Sequence, residues 1–498
     1  MNMRKQLAKG SSVVSVITFM GHLLSMGLKV LISRVFGIAG FGQYALIMAF
    51  SRFLSTVVQM GYHQSIVHFI SKFRTKQDWV NGKRFFVLGT LHIIIVSTIL
   101  LATLLIFRER VLGYIKLENG GYHVLLYISG ISTAIAINNF ISGSLRSLKL
   151  FVQQTLLFTS AFPILMITSL IFVKFLPINS AGIYQFLAIG ILLNAIMLVI
   201  VFMLTKLKFA HKDHPQFEKE DIKQLPRYSM PIWLSSSLQT ASASADRIML
   251  GIFSSISEVG IYTAGLTFSI LFDFPLKAMG PVFQPYIIEA YTKNDFEGIN
   301  KLYNTMVRWS SFFVIPIYSG LLCFGDHLIL AFGKNFEGAY VVMMILSFAQ
   351  MMSSISGIAG TILNMTEKQT THARILSLGF AITIILNLIL IPRFGALGAA
   401  ISNSTYIISI NFFRVRKIVK FFALKTDYSI LFWLILKFTP LVLFTFWMTH
   451  LALVHWMVLL GGFGILSVLI VYFSLSQNEK NYVSSIPRKL IGSHDGKN

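Results

Sequence analysis

Cysteine is nearly missing from this chain. The one cysteine among 498 residues, Cys323, sits inside an apolar run, so neither an internal disulfide nor a cysteine-ligated metal site can be built. Charge is scarce as well. Asp, Glu, Lys and Arg make up 12% of the residues, about half of the ~25% usual in a soluble chain. Acids are the rarer sign, with 19 against 42 basic residues. There is no Gly-rich phosphate loop, no His-x-x-x-His helix and no carboxylate pair spaced for a substrate. The signatures of ATP-driven pumping, zinc hydrolysis and acid–base catalysis are therefore missing. We expect no enzyme activity, no cofactor and no metal. The net charge of +23 comes with no basic and aromatic module standing apart from the apolar segments, so nucleic acid is not an expected partner.

Apolar length is what the chain has in quantity. Hydrophobic residues make up 55% and the mean hydropathy is +0.71. Runs of the ~20 residues a bilayer core requires begin near Ser11, Gly42, Phe85, Tyr122, Val152, Ala181, Tyr228, Val259, Thr305, Ala339, Thr371, Ala396, Tyr428 and Leu453. This predicts an all-α polytopic membrane protein of about fourteen helices. The start MNMRKQLAKG imitates a signal peptide, but the apolar run continues to Phe36 without a small-residue cleavage site. It reads as an uncleaved first helix.

Basic residues sort onto alternate connections. One face collects Arg4, Lys5 and Lys9, then Lys72, Arg74 and Lys83, then Arg146 and Lys149, then Lys206 to Arg227, and later Arg414, Arg416, Lys417 and Lys420. The other face has Arg108, Arg110, Lys116, Lys174, Lys334 and Arg393. The bias is roughly four to one, which places the richer face and both termini in the cytoplasm. The longest polar stretch, KLKFAHKDHPQFEKEDIKQLPRYSMP from Lys206, reads as an interfacial linker.

Short segments recur in both halves. SRVFGIAGFGQYAL from Ser33 lies against DRIMLGIFSSISEVGIYTAG from Asp246, each with an arginine followed by Gly-x-Tyr (Gly42 and Tyr44; Gly260 and Tyr262). ISGSLRSLK from Ile141 matches IAGTILNMTEK from Ile358, and FLPINSAGI from Phe175 matches IPRFGALGA from Ile391. Two like-oriented lobes of about six helices follow. They are 1–210 and 227–418, with 211–226 as linker and 419–498 as two added helices and a tail. Such lobes form an alternating-access transporter with a central cavity.

Polar residues mark the cavity. Ser11, Ser15, Thr18, His22, Ser25, Lys29 and Ser33 step by three or four, as do Arg52, Ser55, Gln59 and His63. Ser229, Trp233, Ser236, Thr240, Ser244 and Arg247 form the matching stripe in the second half. Stripes of this kind face a wet interior. Lys29 and Arg52, far from helix ends, are the leading candidates for an anionic ligand. Arg247 and Arg34, taken as its first-half equivalent, either join them or anchor helix ends by snorkelling. Neighbours on a helix point ~100° apart, so Asp246 does not simply neutralise Arg247. It turns to a neighbouring helix instead. Asp273 stands four residues before Lys277, the spacing of an intrahelical ion pair. Asp246 and Asp273 are the acids available for ion coupling or for structure.

DRIMLGIFSSISEVGIYTAG, LNLILIPRFGALGAAIS from Leu386, SRVFGIAGFGQYAL and LPRYSMPIWLSS resemble segments of the polysaccharide-transporter family. These are the Wzx-like flippases of lipid-linked oligosaccharides, in the superfamily that also holds the MATE exporters and lipid II flippases. The resemblance spans essentially the whole chain. It implies a multi-pass protein of the bacterial inner membrane that moves an undecaprenyl-pyrophosphate-linked oligosaccharide, such as an O-antigen unit, to the outer leaflet. It also implies a cationic lumen at Lys29, Arg34, Arg52 and Arg247, and a polysaccharide polymerase and chain-length regulator as partners. The rivals are a MATE-like drug or metabolite antiporter, which needs a carboxylate-rich or aromatic lumen, and a non-transporting scaffold of a glycan-assembly complex.

Overall fold

The computed structural model describes residues 2–75, 78–115, 123–148, 150–174, 182–208, 219–425, 427–450, 455–475 and 477. Residues 175–181 of the FLPINSAGI segment, Lys116, Lys149, 209–218 of the linker and the C-terminal tail lie outside the described residues. All regular elements among the described residues are helical: α1 (Asn2–Gln59), α2 (Tyr62–Thr75), α3 (Trp79–Ile106), α4 (Arg108–Ile115), α5 (His123–Ser147), α6 (Phe151–Thr155), α7 (Ala161–Lys174), α8 (Gly182–Lys208), α9 (Lys219–Phe253), α10 (Ile256–Ser269), α11 (Phe274–Thr292), α12 (Phe296–Leu330), α13 (Ala339–Ile355), α14 (Ala359–Met365), α15 (Gln369–Phe422), α16 (Ser429–His450) and α17 (Trp456–Ser474). A π-helical turn joins α6 to α7, and a 3-10 turn joins α10 to α11.

Ten spans are long and apolar enough to cross a bilayer, or eleven with the bent pair α13 and α14 taken as one. Two of these count double. At Gly37 in α1 (φ 67°) and Gly395 in α15 (φ 53°) the backbone leaves the helical region, a conformation that glycine adopts without Cβ strain. A straight helix would hold Lys29 and Arg52 about 35 Å apart, yet the two lie within electrostatic range. The legs of α1 therefore run side by side. In α15, Ser402 Oγ donates to Thr383 O at 3.2 Å, which folds that helix back in the same way. With α9, long enough but too polar to be counted among the apolar spans, these second legs bring the described helices to the fourteen expected.

The chain forms two compact units. Unit 1 holds 1–268, 329–346 and 373–406. In it α1 packs on α5 and α9, and α2 packs on α3 and α5. Its core includes Phe69 stacked on Phe85 at 4.6 Å and Phe86 against Phe140 at 5.5 Å, with Val58, Ile66, Ile70 and Ile93 filling in. Gly89 is required there, because a Cβ would strike the Phe140 ring.

Unit 2 holds 269–328, 347–372 and 407–498. Two asparagines one turn apart on α12 receive the chain ahead of α16. Asn300 Oδ1 accepts from Lys425 N at 3.1 Å, and Asn304 Oδ1 accepts from Asp427 N at 3.0 Å. Ser429 donates to Asp427 and holds its carboxyl below the usual carboxylate range, as expected of an acid at a helix N-terminus. At the end of α17, Ser474 takes Arg308 of α12 on its carbonyl (3.4 Å) and Lys437 of α16 on its hydroxyl (2.9 Å). The two added helices are thus tied to α12 at their polar ends.

Candidate functional site

The site lies in unit 1, where the second leg of α1 runs beside α9. Beyond α9, the start of α10 meets α1 in a reciprocal contact between the two Gly-x-Tyr motifs. A Cβ on Gly42 would collide with the Ile256 carbonyl, and one on Gly260 would stand 2.6 Å from the Ile38 carbonyl. Gly251 is likewise pressed onto Leu46. Only glycine lets two backbones approach this closely. Gly42 is as far from Gly260 in sequence as Ile38 is from Ile256, so the contact exchanges equivalent residues of the repeat. The same spacing separates Lys29 from Arg247 and Tyr44 from Tyr262.

This registration corrects the repeat as read from sequence. Lys29, not Arg34, is the first-half counterpart of Arg247. Arg34 is exposed and engaged elsewhere. Its Nε donates to Ala331 O and its Nη2 to Leu330 O, both at 2.6 Å, while Ser33 Oγ reaches Phe332 O at 3.0 Å. Arg34 thus satisfies carbonyls left open at the end of α12, where a cation also complements the helix dipole. The structure does not bring Arg34 to the other three cations.

Lys29, Arg52 and Arg247 do come together. Lys29 lies within electrostatic range of both arginines, and Arg247 within range of Arg52. Lys29 is half-buried, Arg52 is exposed and Arg247 is buried. Arg247 Nη2 donates to Ala243 O of its own helix at 2.7 Å, and its Nε is buried without a hydrogen-bond partner. Among the described residues, no carboxylate forms an ion pair with any of the three. Tyr44 and Tyr262, the motif tyrosines, stand beside them.

Asp246 turns away, as the ~100° step predicts. Its carboxylate accepts from Tyr262 Oη at 2.7 Å, from Asn387 Nδ2 at 2.9 Å and from Asn403 Nδ2. It joins α9 to α10 and to both legs of α15. Three neutral donors take up the carboxylate oxygens, and Asp246 acts on Arg247 through space without an ion pair to it. Glu258 adds a second tie between α10 and α15, accepting from Ala396 N at 2.6 Å just after the Gly395 break. Asp273 belongs to unit 2, paired with Lys277 at 3.2 Å and accepting from Gln350.

Nearer its N-terminus α9 again touches the first half. Trp233 Nε1 donates to Thr56 O at 2.9 Å, and Ser65 and Ser229 share a hydrogen bond at 2.7 Å. Gly61, with φ 78°, admits the Ser229 carbonyl. Reading the sequence missed Asn387, Asn403 and the tyrosines as site residues. Two asparagines inside otherwise apolar runs were a signal, because such groups in lipid require partners.

Comparison with known proteins agrees with this architecture. The family described as polysaccharide biosynthesis protein matches residues 7–290, and the MatE family matches 231–389. The "probable low-salt glycan biosynthesis flippase Agl15" of Haloferax volcanii is 24% identical over 425 residues, covering 84% of this chain and 86% of that one. The "probable flippase AglR" of the same organism is 28% identical over a shorter stretch, 34% of this chain and 37% of its own. Among solved structures, the lipid II flippase MurJ in an inward closed conformation superposes with a TM-score of 0.72 at 17% identity, over 96% of this chain and 99% of that one. An inward-facing multidrug MATE transporter superposes with a TM-score of 0.69 at 13% identity, over 83% and 98%. This chain is a multi-pass membrane protein of the polysaccharide biosynthesis protein family, with the transporter fold of the MATE and MurJ proteins.

Proposed function

We propose that the protein is a flippase. It carries a polyprenyl-pyrophosphate-linked oligosaccharide, such as an O-antigen or exopolysaccharide repeat unit on undecaprenyl, from the cytoplasmic to the outer leaflet. The observation that carries this reading is the gathering of Lys29, Arg52 and Arg247 with no carboxylate in an ion pair with them among the described residues. Cations grouped in a membrane protein repel one another and are costly to desolvate. A ligand phosphate relieves both penalties, with arginine forks matched to its oxygens. A pyrophosphate cannot cross hydrocarbon unaided, whereas a polyprenyl tail can stay in lipid as the head moves. The relatives named as glycan biosynthesis flippases support the same reading. In it the lobes are 1–210 and 227–418, both termini are cytoplasmic, the membrane is the cytoplasmic one, and a polymerase and chain-length regulator act downstream. Arg34 serves closure of the outer end and makes no contact with cargo.

Asp246 is the candidate for ion coupling. Asn387 Oδ1, on one of its partners, is buried with no hydrogen bond, so oxygens are available for a small cation beside the carboxylate. Dependence of transport on sodium or proton gradients that disappears in Asp246→Asn tests this role.

Reconstituted protein tests the main reading. Translocation of a lipid-linked oligosaccharide should fall at least ~10-fold in Lys29→Ala and in Arg52→Ala, since a charge-assisted hydrogen bond contributes about 1.5–3 kcal/mol. Unchanged transport in both variants would overturn the assignment.

A further inference from the structure

The polar stripe on α1 continues inward past the cations, and the proposed phosphate contact leaves that part unused. Gln59 is two turns beyond Arg52 on the same face, about 10 Å along the helix. Facing it is α5. Asn139 Nδ2 donates to Gln59 Oε1 at 3.4 Å, and Arg146, two turns further along the same face of α5, acts electrostatically on His63. These side chains therefore face one another inside unit 1, although Asn139 and Arg146 are exposed. Gln59 itself is buried, 3% exposed, so Asn139 and Arg146 are the exposed rim of this contact and Gln59 lies behind them.

Its chemistry differs from that of the cation cluster. A primary amide offers two donors and an acceptor with two lone pairs. The long bond between Gln59 and Asn139 is the one side-chain hydrogen bond their amides make among the described residues. His63 Nδ1 is buried without a partner. Left dry, such groups cost free energy; water or a polyhydroxyl ligand satisfies them. Next to them stands an aromatic plane. The half-buried Trp233 is fixed by its bond to Thr56 O, one turn before Gln59, and its ring suits the apolar face of a pyranose.

We propose that Gln59, His63, Asn139 and Trp233 form a glycan subsite, which takes the sugars nearest the phosphate head by hydrogen bonding and stacking. The proposal rests on the flippase reading above. It assigns the phosphate to Lys29, Arg52 and Arg247, and sugar selectivity to this amide and indole face about two turns inward.

Full-length protein in nanodiscs, titrated with polyprenyl diphosphate and with the same lipid carrying a short oligosaccharide, provides the test. The wild type should bind the sugar-bearing lipid more tightly than the bare one. In Asn139→Ala the glycan lipid should bind about 10-fold more weakly, the loss of one to two hydrogen bonds, with less than a twofold change for the bare lipid. Arg52→Ala should weaken both. Trp233→Leu gives a second reading, expected to show the same selective loss, should Asn139→Ala fold poorly. Equal weakening of both lipids with a lower melting temperature would mean the amides only hold α1 to α5, and the subsite would be discarded. Unaltered binding of both lipids would discard it too. If the wild type binds neither lipid, the flippase reading itself fails, and that result is separate from failure of the subsite.

Discussion

Asp246 and Arg247 show how far one residue step separates two roles. The acid is 1% exposed and the arginine 8%, yet the acid's hydrogen bonds go to Tyr262, Asn387 and Asn403. Removing the carboxylate in Asp246→Ala leaves those donors facing a void, and an unsatisfied buried donor costs about 1–3 kcal/mol. We expect a loss on the order of 3 kcal/mol, read as a melting temperature lower by several degrees. Asp246→Asn keeps the shape and should lose less. An Asp246→Ala protein as stable as wild type would remove the acid from the architecture. The divergence of the pair was legible in sequence, because the helical step alone dictates it. The fate of Arg34 was not. An arginine at a plausible stripe position looks the same in sequence whether it meets a ligand or the carbonyls of Leu330 and Ala331, nearly 300 residues away.

The decisive element is the crossing of α1 with α10, and it depends on glycine. Gly42 has the Ile256 carbonyl where its Cβ would be, whereas Gly27 on the first leg of α1 has nothing within 4 Å. Gly42→Val should therefore misassemble or lose transport. Gly27→Ala should be neutral or slightly stabilising, since alanine favours helix by up to ~1 kcal/mol over glycine. Assays of expression, melting temperature and transport on the two variants compare like with like, and equal behaviour would refute the close-packed crossing. The Gly-x-Tyr motifs were visible as repeat markers. Their meeting was not, because periodicity reports which face a residue occupies and not which helix it meets. The hairpins inside α1 and α15 were anticipated as pairs of apolar segments beginning near Ser11 and Gly42, and near Thr371 and Ala396. The breaks at Gly37 and Gly395 were not singled out. A lone glycine in a helical run is usually tolerated, and the chain folds back at these two while it runs straight through Gly27.

For the molecule as a whole, the sequence predicted helix number and class because bilayer thickness sets segment length. The compact units follow other boundaries than the repeat. Unit 1 draws 329–346 and 373–406 from the second half, because ties such as Asp246 to Asn387 and Asn403, and Glu258 to Ala396, depend on partners that hydropathy does not encode. The proposed cargo makes the whole cycle sensitive to voltage. An anion leaving a negatively charged interior gains about 2.3 kcal/mol per charge per 100 mV, so a doubly charged head gains about 4–5 kcal/mol at 100 mV. Proteoliposomes given a potassium diffusion potential should flip lipid-linked oligosaccharide outward faster when the lumen is negative and more slowly when it is positive. Inward movement of a coupling cation would act in the same direction. The dependence should weaken in Lys29→Ala and Arg52→Ala only through their lower rates, not by a change of sign. Transport indifferent to potential of either sign would mean that no net negative charge moves outward through this protein, and the phosphate-bearing cargo would have to be replaced by a neutral one.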